Sequence, residues 1–356
     1  MPPYMKVLLP KYFWIGGMID NMEQSFKNAG HDVLTLKFAA ESNRTLKNPL
    51  NQLKKYNEFS INKKIEEYNA RVKKEAKRYR PDLVFFMNSG KLTPDTVQFL
   101  NNEVGAKVVC FLPDNPFDSS RSKYTAMNLP WCHDILVCEK EWINNIRNIA
   151  PYSKIHKVIV GYNEEHFFQP EWNTISELEK QIFGCDVSFT GAGYADLAEG
   201  AYRSIILYHL SQHYNVKIWS NDNWSFRFKY LEGLSDAYQG RRLSLQDLRK
   251  LYHLSSINLN MPSPQILSTL QPRVFEVAAC AGFQIVDYRS DIFEIFTKEE
   301  IPVFYSIPDL KEKIDFYKNN PTVKEKSIQA LKSKVMKDHT WSTRINEYFE
   351  ILDITN

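Results

Sequence analysis

Four short runs, "DLVFFMNSG", "AKVVCFLPD", "DILVCE" and "KIHKVIVG", are largely apolar and bounded by polar or turn residues. A strand with one wetted face alternates apolar and polar side chains, whereas one that is apolar throughout must be covered on both faces. Helix-like segments separate these runs, so the chain is confined to parallel sheet flanked by helices. The same alternation starts at the N-terminus. "MKVLLP" reads as a strand and "KYFWIGG" as a loop. Residues 18–29 read as a helix with Met18, Met22, Phe26 and Ala29 on one stripe, closed by Gly30, and "HDVLTLKF" as the next strand. Residues 59–79 form a long basic helix with Ile61, Ile65, Tyr68, Val72 and Tyr79 along one side.

Near residue 161 the pattern lapses into "GYNEEHFFQPEWNTISELEKQIFG", which reads as an interdomain connection. It then restarts with "CDVSFTGAG", a helix over 198–212, "NVKIWS", a helix over 244–254, "SINLNM", the helix of "QPRVFEVAAC", "FQIVDY", "IPVFYS" and a helix over 308–318. An amphipathic segment over 341–353 follows "DHTWSTR". At about 100–200 residues per domain, 356 residues suit two domains. The expectation is α/β: two Rossmann-like domains, 1–170 and 171–338, facing across a cleft, with residues 339–356 returning to the first.

Hydrophobic content of 43% and charged content of 24% are ordinary for a folded domain with a full core. No window approaches the roughly 18 apolar residues that span a bilayer, and the N-terminus lacks a convincing signal peptide. The five cysteines are scattered, without a C-x-x-C, and read as reduced core thiols in a cytoplasmic protein. Net charge is +3, yet residues 43–80 hold twelve Lys/Arg against four Glu, a local +8. A solvated face accounts for such a helix in most proteins; an anionic acceptor or the inner membrane surface is the functional alternative.

Several motif classes are excluded. There is no G-x-x-x-x-G-K-[ST], no G-x-S-x-G and no D-x-D, and His133, His156, His166, His213, His253 and His339 sit at no metal-ligand spacing. No metal and no cofactor are expected. "GAGYAD" follows a strand and precedes a helix, so Gly191 and Gly193 offer main-chain N–H groups to a phosphate. Asp196 stands where a dinucleotide fingerprint has its third glycine, and a tight turn is the competing account. Gly16 and Gly17 carry the same two readings. Asp114, in "FLPDNPFD", follows a strand in a Pro-flanked turn, either as punctuation or as a carboxylate lining the interdomain cleft. Arg273 and Glu276 lie three apart on a helix headed by Pro272, near its positive end. An internal salt bridge there is worth only about 0.2–0.5 kcal/mol. A ligand is the alternative partner for the two charges.

"DVSFTGAG", Arg203, "INLNM", "QPRVFEVAACAGFQIVDYRSDIFEIF", "DLKEKIDFYKNNP" and "DHTWSTRINEYFEIL" together resemble the C-terminal half of CgeB-like glycosyltransferases, the spore maturation protein family. Residues 1–160 resemble it loosely, through "GG", "GHDV" and "PDNPF". The resemblance implies a GT-B fold, an N-terminal acceptor domain and a C-terminal nucleotide-sugar domain, related to retaining transferases with an E-x7-E motif. On that pattern Glu276 is the second glutamate, which binds the nucleotide ribose, while the first falls at Ser268. That departure leaves the sugar contact and the stereochemistry unassigned.

The expected function is metal-independent glycosyl transfer from a UDP- or GDP-sugar. Glu276, Arg273, Gly191, Gly193 and Arg203 would hold the donor; Gly16 and Gly17 would line the acceptor site, with Asp114 as base. An epimerase or phosphorylase on the same fold, and a non-catalytic surface or assembly protein, are the alternatives.

Overall fold

The computed structural model describes residues 4–12, 17–38, 58–118, 122–193, 198–220, 224–240 and 242–354. They divide into two compact units: residues 1–159 with 341–356, and residues 160–340.

In unit 1, strands β1 (Lys6–Tyr12), β2 (Asp32–Phe38), β3 (Leu83–Met87), β4 (Lys107–Leu112), β5 (Asp134–Val137) and β6 (Lys154–Lys157) form one sheet in the order β2-β1-β3-β4-β5-β6. Every pairing is parallel. Helices α1 (Met18–Asn28), α2 (Glu58–Tyr79), α3 (Pro94–Asn102), α4 (Tyr124–Asn128) and α5 (Ile143–Ile149) fall between the strands. Leu83 to Phe86 and Val108 to Leu112 are fully or almost fully buried, as strands covered on both faces require.

In unit 2, α6 (Glu177–Phe183) precedes β7 (Val187–Thr190), α7 (Ala198–Ser211) and β8 (Val216–Trp219). Two short helices, α8 (Ser225–Phe228) and α9 (Leu234–Ala237), lead to α10 (Leu245–Leu254) and β9 (Ile257–Asn260). There follow α11 (Pro272–Ala279), β10 (Gln284–Asp287), α12 (Ile292–Ile295), β11 (Val303–Phe304), α13 (Ile307–Asn319) and α14 (Pro321–Asp338). The strand order is β11-β10-β9-β7-β8, again wholly parallel. Val187, Phe189, Ile218, Ile257, Leu259 and Ile285 form its core.

The chain closes with α15 (Trp341–Ile351), which belongs to unit 1 and packs on α1. Trp341, Ile345, Tyr348 and Phe349 are buried. Phe349 meets the Phe26 and His31 rings at 5.5 and 4.9 Å, and the Tyr348 hydroxyl donates to the Ile159 carbonyl at 2.7 Å.

Three elements differ from the sequence expectation. Lys11 and Tyr12, read as loop, continue β1 and pair with Lys37 and Phe38. The stretch read as a connection contains α6, whose Ser176 and Glu179 form a reciprocal capping box. Residues 321–338 are an uninterrupted helix for which no expectation was set.

Candidate functional site

In a parallel sheet of this order, the chain leaves β1 toward one side and β3 toward the other, so a crevice opens between their carboxyl ends. In unit 1 that place is a cavity of about 420 Å³. β1 supplies Lys11 and Tyr12, the head of α1 supplies Gly17, the turn after β3 supplies Asn88 to Lys91, and the loop after β4 supplies Asp114. Asn88 Nδ2 donates to Asp114 Oδ2 at 3.1 Å. Gly17 and Asp114 therefore share one cavity, as residues of one acceptor site must. Gly16 lies outside the described residues.

The two lysines in this cavity differ. Lys11 Nζ contacts Asp20 Oδ1 and lies 2.5 Å from Glu23 Oε2. Burial opposes its charge, but these carboxylates prevail and raise its pKa. Glu23 is likewise penalised by burial, yet its bonds to Lys11 and Lys27 lower it to about 2. Lys91 has only burial acting on it, which lowers its pKa. Its Nζ stands 5.2 Å from the centre of the Tyr12 ring. Asn88 and Lys91 both have positive φ, at 55° and 60°. Neither was singled out from the sequence, where "MNSG" reads only as the end of a strand.

In unit 2 a cluster of side chains packs between β7 and β9. Ser188, Thr190, Tyr252, Asn258, Asn260 and Arg273 surround a void with no room for a water molecule. Ser188 Oγ donates to Asn258 Oδ1 at 2.9 Å, and Asn258 Nδ2 donates to the carbonyls of Tyr252 and Phe283. Gln284 Nε2 donates to the Val274 carbonyl at 2.7 Å, clamping α11 onto β10.

Arg273 and Glu276 lie in the first two turns of α11, with Pro272 at its first position. They do not form a salt bridge: among the described residues no ion pair or hydrogen bond reaches the Glu276 carboxylate. Burial raises its pKa to about 7, opposed by the nearby Arg273 charge. The side chain still keeps partial contact with the surface. One Arg273 amino nitrogen stands beside Gly191, 3.4 Å from where a Cβ would lie. Gly193 packs against Trp224 so closely that a Cβ would fall 2.3 Å from Nε1. Packing thus demands a glycine at 193 whatever the loop binds. Residues 194–197, including Asp196, lie outside the described set.

Arg203 is 3% exposed. Its two terminal nitrogens donate to the Ala192 and Met261 carbonyls at 2.7 and 2.9 Å. It therefore ties the 191–193 loop to the end of β9. Ser268 is buried, and its carbonyl accepts from the Asp291 N–H at 3.0 Å. So Arg273 and Arg203 meet at the loop that holds Gly191 and Gly193, Glu276 stands beside Arg273 on α11, and Asp114 and Gly17 line a cavity in the other unit. Tyr252 and Trp224, which pack into the unit 2 cluster, carried no motif signal.

On the basic helix, Lys73 pairs with Asp95 at 2.6 Å and Lys77 approaches Glu103 to 3.9 Å, so α3 balances part of its charge. Among the described residues no group of three His, Cys, Asp or Glu side chains is placed to hold a metal ion. No described helix is long and apolar enough to cross a membrane. All five cysteines are unpaired.

Residues 203–350 match the family model described as "Glycosyl transferase-like". No curated protein matches the chain in sequence. Among solved structures, a sucrose-phosphate synthase from Thermosynechococcus elongatus is similar over 98% of both chains, with 11% identity and a TM-score of 0.70. A glycosyltransferase from Rickettsia africae is similar over 99% of this chain and 98% of its own, at 14% identity and a TM-score of 0.66. HepE of Anabaena, solved with UDP-glucose, is similar over 98% of this chain and 100% of its own, at 12% identity and a TM-score of 0.63. The chain thus has the GT-B fold, and its residues 203–350 carry a glycosyl transferase-like sequence pattern.

Proposed function

We propose that this protein moves a glycosyl group from a nucleotide-diphosphate sugar to a hydroxyl of an acceptor, with the donor on unit 2. The observation that carries this reading is Glu276, a half-buried carboxylate that no hydrogen bond or ion pair reaches among the described residues, within the segment that matches the family model. A ribose diol gives it two hydroxyl donors. Arg273, beside Gly191, would pair with a diphosphate, while the Gly191 N–H itself is spent on the Trp219 carbonyl at 3.2 Å. Arg203 acts on that loop through the Ala192 carbonyl. HepE was solved with UDP-glucose, which favours a UDP-sugar as donor here. The narrower CgeB-like assignment rests on the motifs in residues 180–356.

In the transfer, the acceptor hydroxyl oxygen bonds to the anomeric carbon as the bond to the diphosphate oxygen breaks. The electron pair leaves on the diphosphate, and the hydroxyl proton passes to the Asp114 carboxylate. The chain has no D-x-D with which to hold a cation on the diphosphate. Its charge then falls to Arg273 and to main-chain dipoles, and the reaction is metal-independent on this reading.

Calorimetry with UDP and GDP tests this assignment. Wild type should bind one of them, and Glu276→Ala should bind it far more weakly while remaining folded. Equal binding by the two proteins refutes the role given to Glu276. Ser268, in place of the first motif glutamate, favours one rival, a non-catalytic protein of this fold. Donor hydrolysis or transfer by wild type excludes that rival.

A further inference from the structure

The cavity of unit 1 holds a cation that no described carboxylate answers, and this deepens the proposal above by naming a class of acceptor. Lys91 lies at φ 60°, a left-handed conformation that a side chain with a Cβ adopts only under constraint. The constraint is visible. Asn69, 4% exposed, donates from Nδ2 to the Lys91 carbonyl at 3.0 Å and accepts from the Thr93 N–H at 2.9 Å. Asn128, fully buried, donates to the Leu92 carbonyl at 3.0 Å. Gly90, also at positive φ, lets the turn close on β1, since a Cβ there would lie 3.2 Å from the Pro10 carbonyl oxygen. Two buried amides from α2 and α4 thus hold a strained turn that places a lysine on the cavity wall.

That lysine is not used for folding in the way Lys11 is. Lys11 shares the cavity and is matched by Asp20 and Glu23. Among the described residues, Lys91 Nζ has no carboxylate within ion-pair distance and faces only the Tyr12 ring. A ring face attracts a cation weakly at a partly wetted site, much less than an anion does in a half-buried one. The opposite function stands across the same cavity. Asp114, held by the Asn88 amide at 3.1 Å, presents a carboxylate that can accept hydroxyl hydrogens. The cavity therefore offers hydrogen-bond acceptors for hydroxyls, an aromatic face for a sugar ring and one cation. Its volume lies in the range of small-molecule sites.

We infer that the acceptor is a polyhydroxylated compound bearing one anionic group, with Lys91 pairing the anion and Asp114, oriented by Asn88, reading the hydroxyls. A phosphate monoester and a sugar carboxylate share this chemistry, and the test separates them.

The full chain would be titrated by calorimetry with glucose, glucose 6-phosphate, glucuronate and inorganic phosphate, and separately with UDP. At least one of the two anionic sugars should bind about tenfold more tightly than glucose, and more tightly than inorganic phosphate. Which of the two prevails identifies the anion. Lys91→Gly removes the cation and suits the positive φ, so its thermal midpoint should equal or exceed that of wild type while the preference for the anion disappears. Lys91→Arg should keep most of that preference. UDP binding should be unchanged in both variants. Equal affinity for glucose and both anionic sugars, or a preference that survives Lys91→Gly, overturns the inference. If UDP fails to bind wild type while the Lys91-dependent preference holds, the donor reading falls and the anion site stands.

Discussion

The two units share one strand order and use its central crevice in opposite ways. Unit 1 leaves the place between β1 and β3 open, with unmatched polar groups around about 420 Å³. Unit 2 fills the place between β7 and β9 with Tyr252, Arg273 and a ladder of buried amides, so that water is excluded. On the reading proposed above, a ligand of unit 1 would enter a hole, whereas one on unit 2 would lie over a packed floor, with Arg273 and Glu276 at the head of α11. Fold similarity alone does not distinguish these two cases, because the difference lies in side chains at equivalent positions of the same topology.

The harshest way to break this contrast is to loosen the floor. Arg203→Met removes two hydrogen bonds to buried carbonyls and should lower stability by about 3 kcal/mol in chemical denaturation. It should weaken nucleotide binding as the 191–193 loop comes free. If UDP affinity survives, the loop does not contribute to the donor site.

Glu276→Ala tests what rises from that floor. Loss of one charged hydrogen-bonding group should weaken UDP or GDP binding by about 10- to 100-fold in calorimetry. The same residue gives a pH signature. Its folded-state pKa, near 7, exceeds the ordinary carboxylate value of 4.5, so the native state holds its proton more tightly than the unfolded chain does. Glu276 therefore favours folding below about pH 4.5, and that contribution is lost as pH rises toward 7. Ligand binding runs the other way if the carboxylate is the binding form. UDP affinity should rise about tenfold between pH 6 and 8, and Glu276→Gln should lose that rise.

Gly193→Ala puts a methyl 2.3 Å from Trp224 Nε1 and should destabilise by about 1–3 kcal/mol, read as a lower thermal midpoint. A neutral result would mean that the indole does not pack there. The smallest effect is expected in unit 1. His31 is buried, neither ring nitrogen has a partner among the described residues, and burial lowers its pKa. The native state therefore prefers the neutral ring, and stability should fall slightly as pH drops below about 6.5. His31→Leu should remove that dependence in pH-resolved thermal melts.

What the sequence disclosed follows from how local each signal is. Pro272 fixes the start of α11, so the positions of Arg273 and Glu276 in its first turns were legible from spacing alone. Wholly apolar runs gave both parallel sheets, because burial on two faces leaves no polar alternation to misread. Helix α14 gave no such signal. Its buried residues are Ser327, Leu331 and Val335, a narrow stripe in a polar segment. Lys11 and Tyr12 looked like a loop because a lysine at a strand end carries no mark of the acids that meet it from α1. The positive φ at Lys91 could not be read at all. It is imposed by Asn69 and Asn128, which lie 22 residues before Lys91 and 36 residues after Leu92.

The position of α15 has a consequence for how the molecule is made. Residues 341–351 complete the core around Phe26 and Phe111, yet they follow the whole of unit 2 in the chain. During synthesis unit 2 has all of its residues while unit 1 still lacks one wall of its core. Unit 1 must therefore wait as an open, ring-lined surface, and it closes only after the segment inserted within it has left the ribosome.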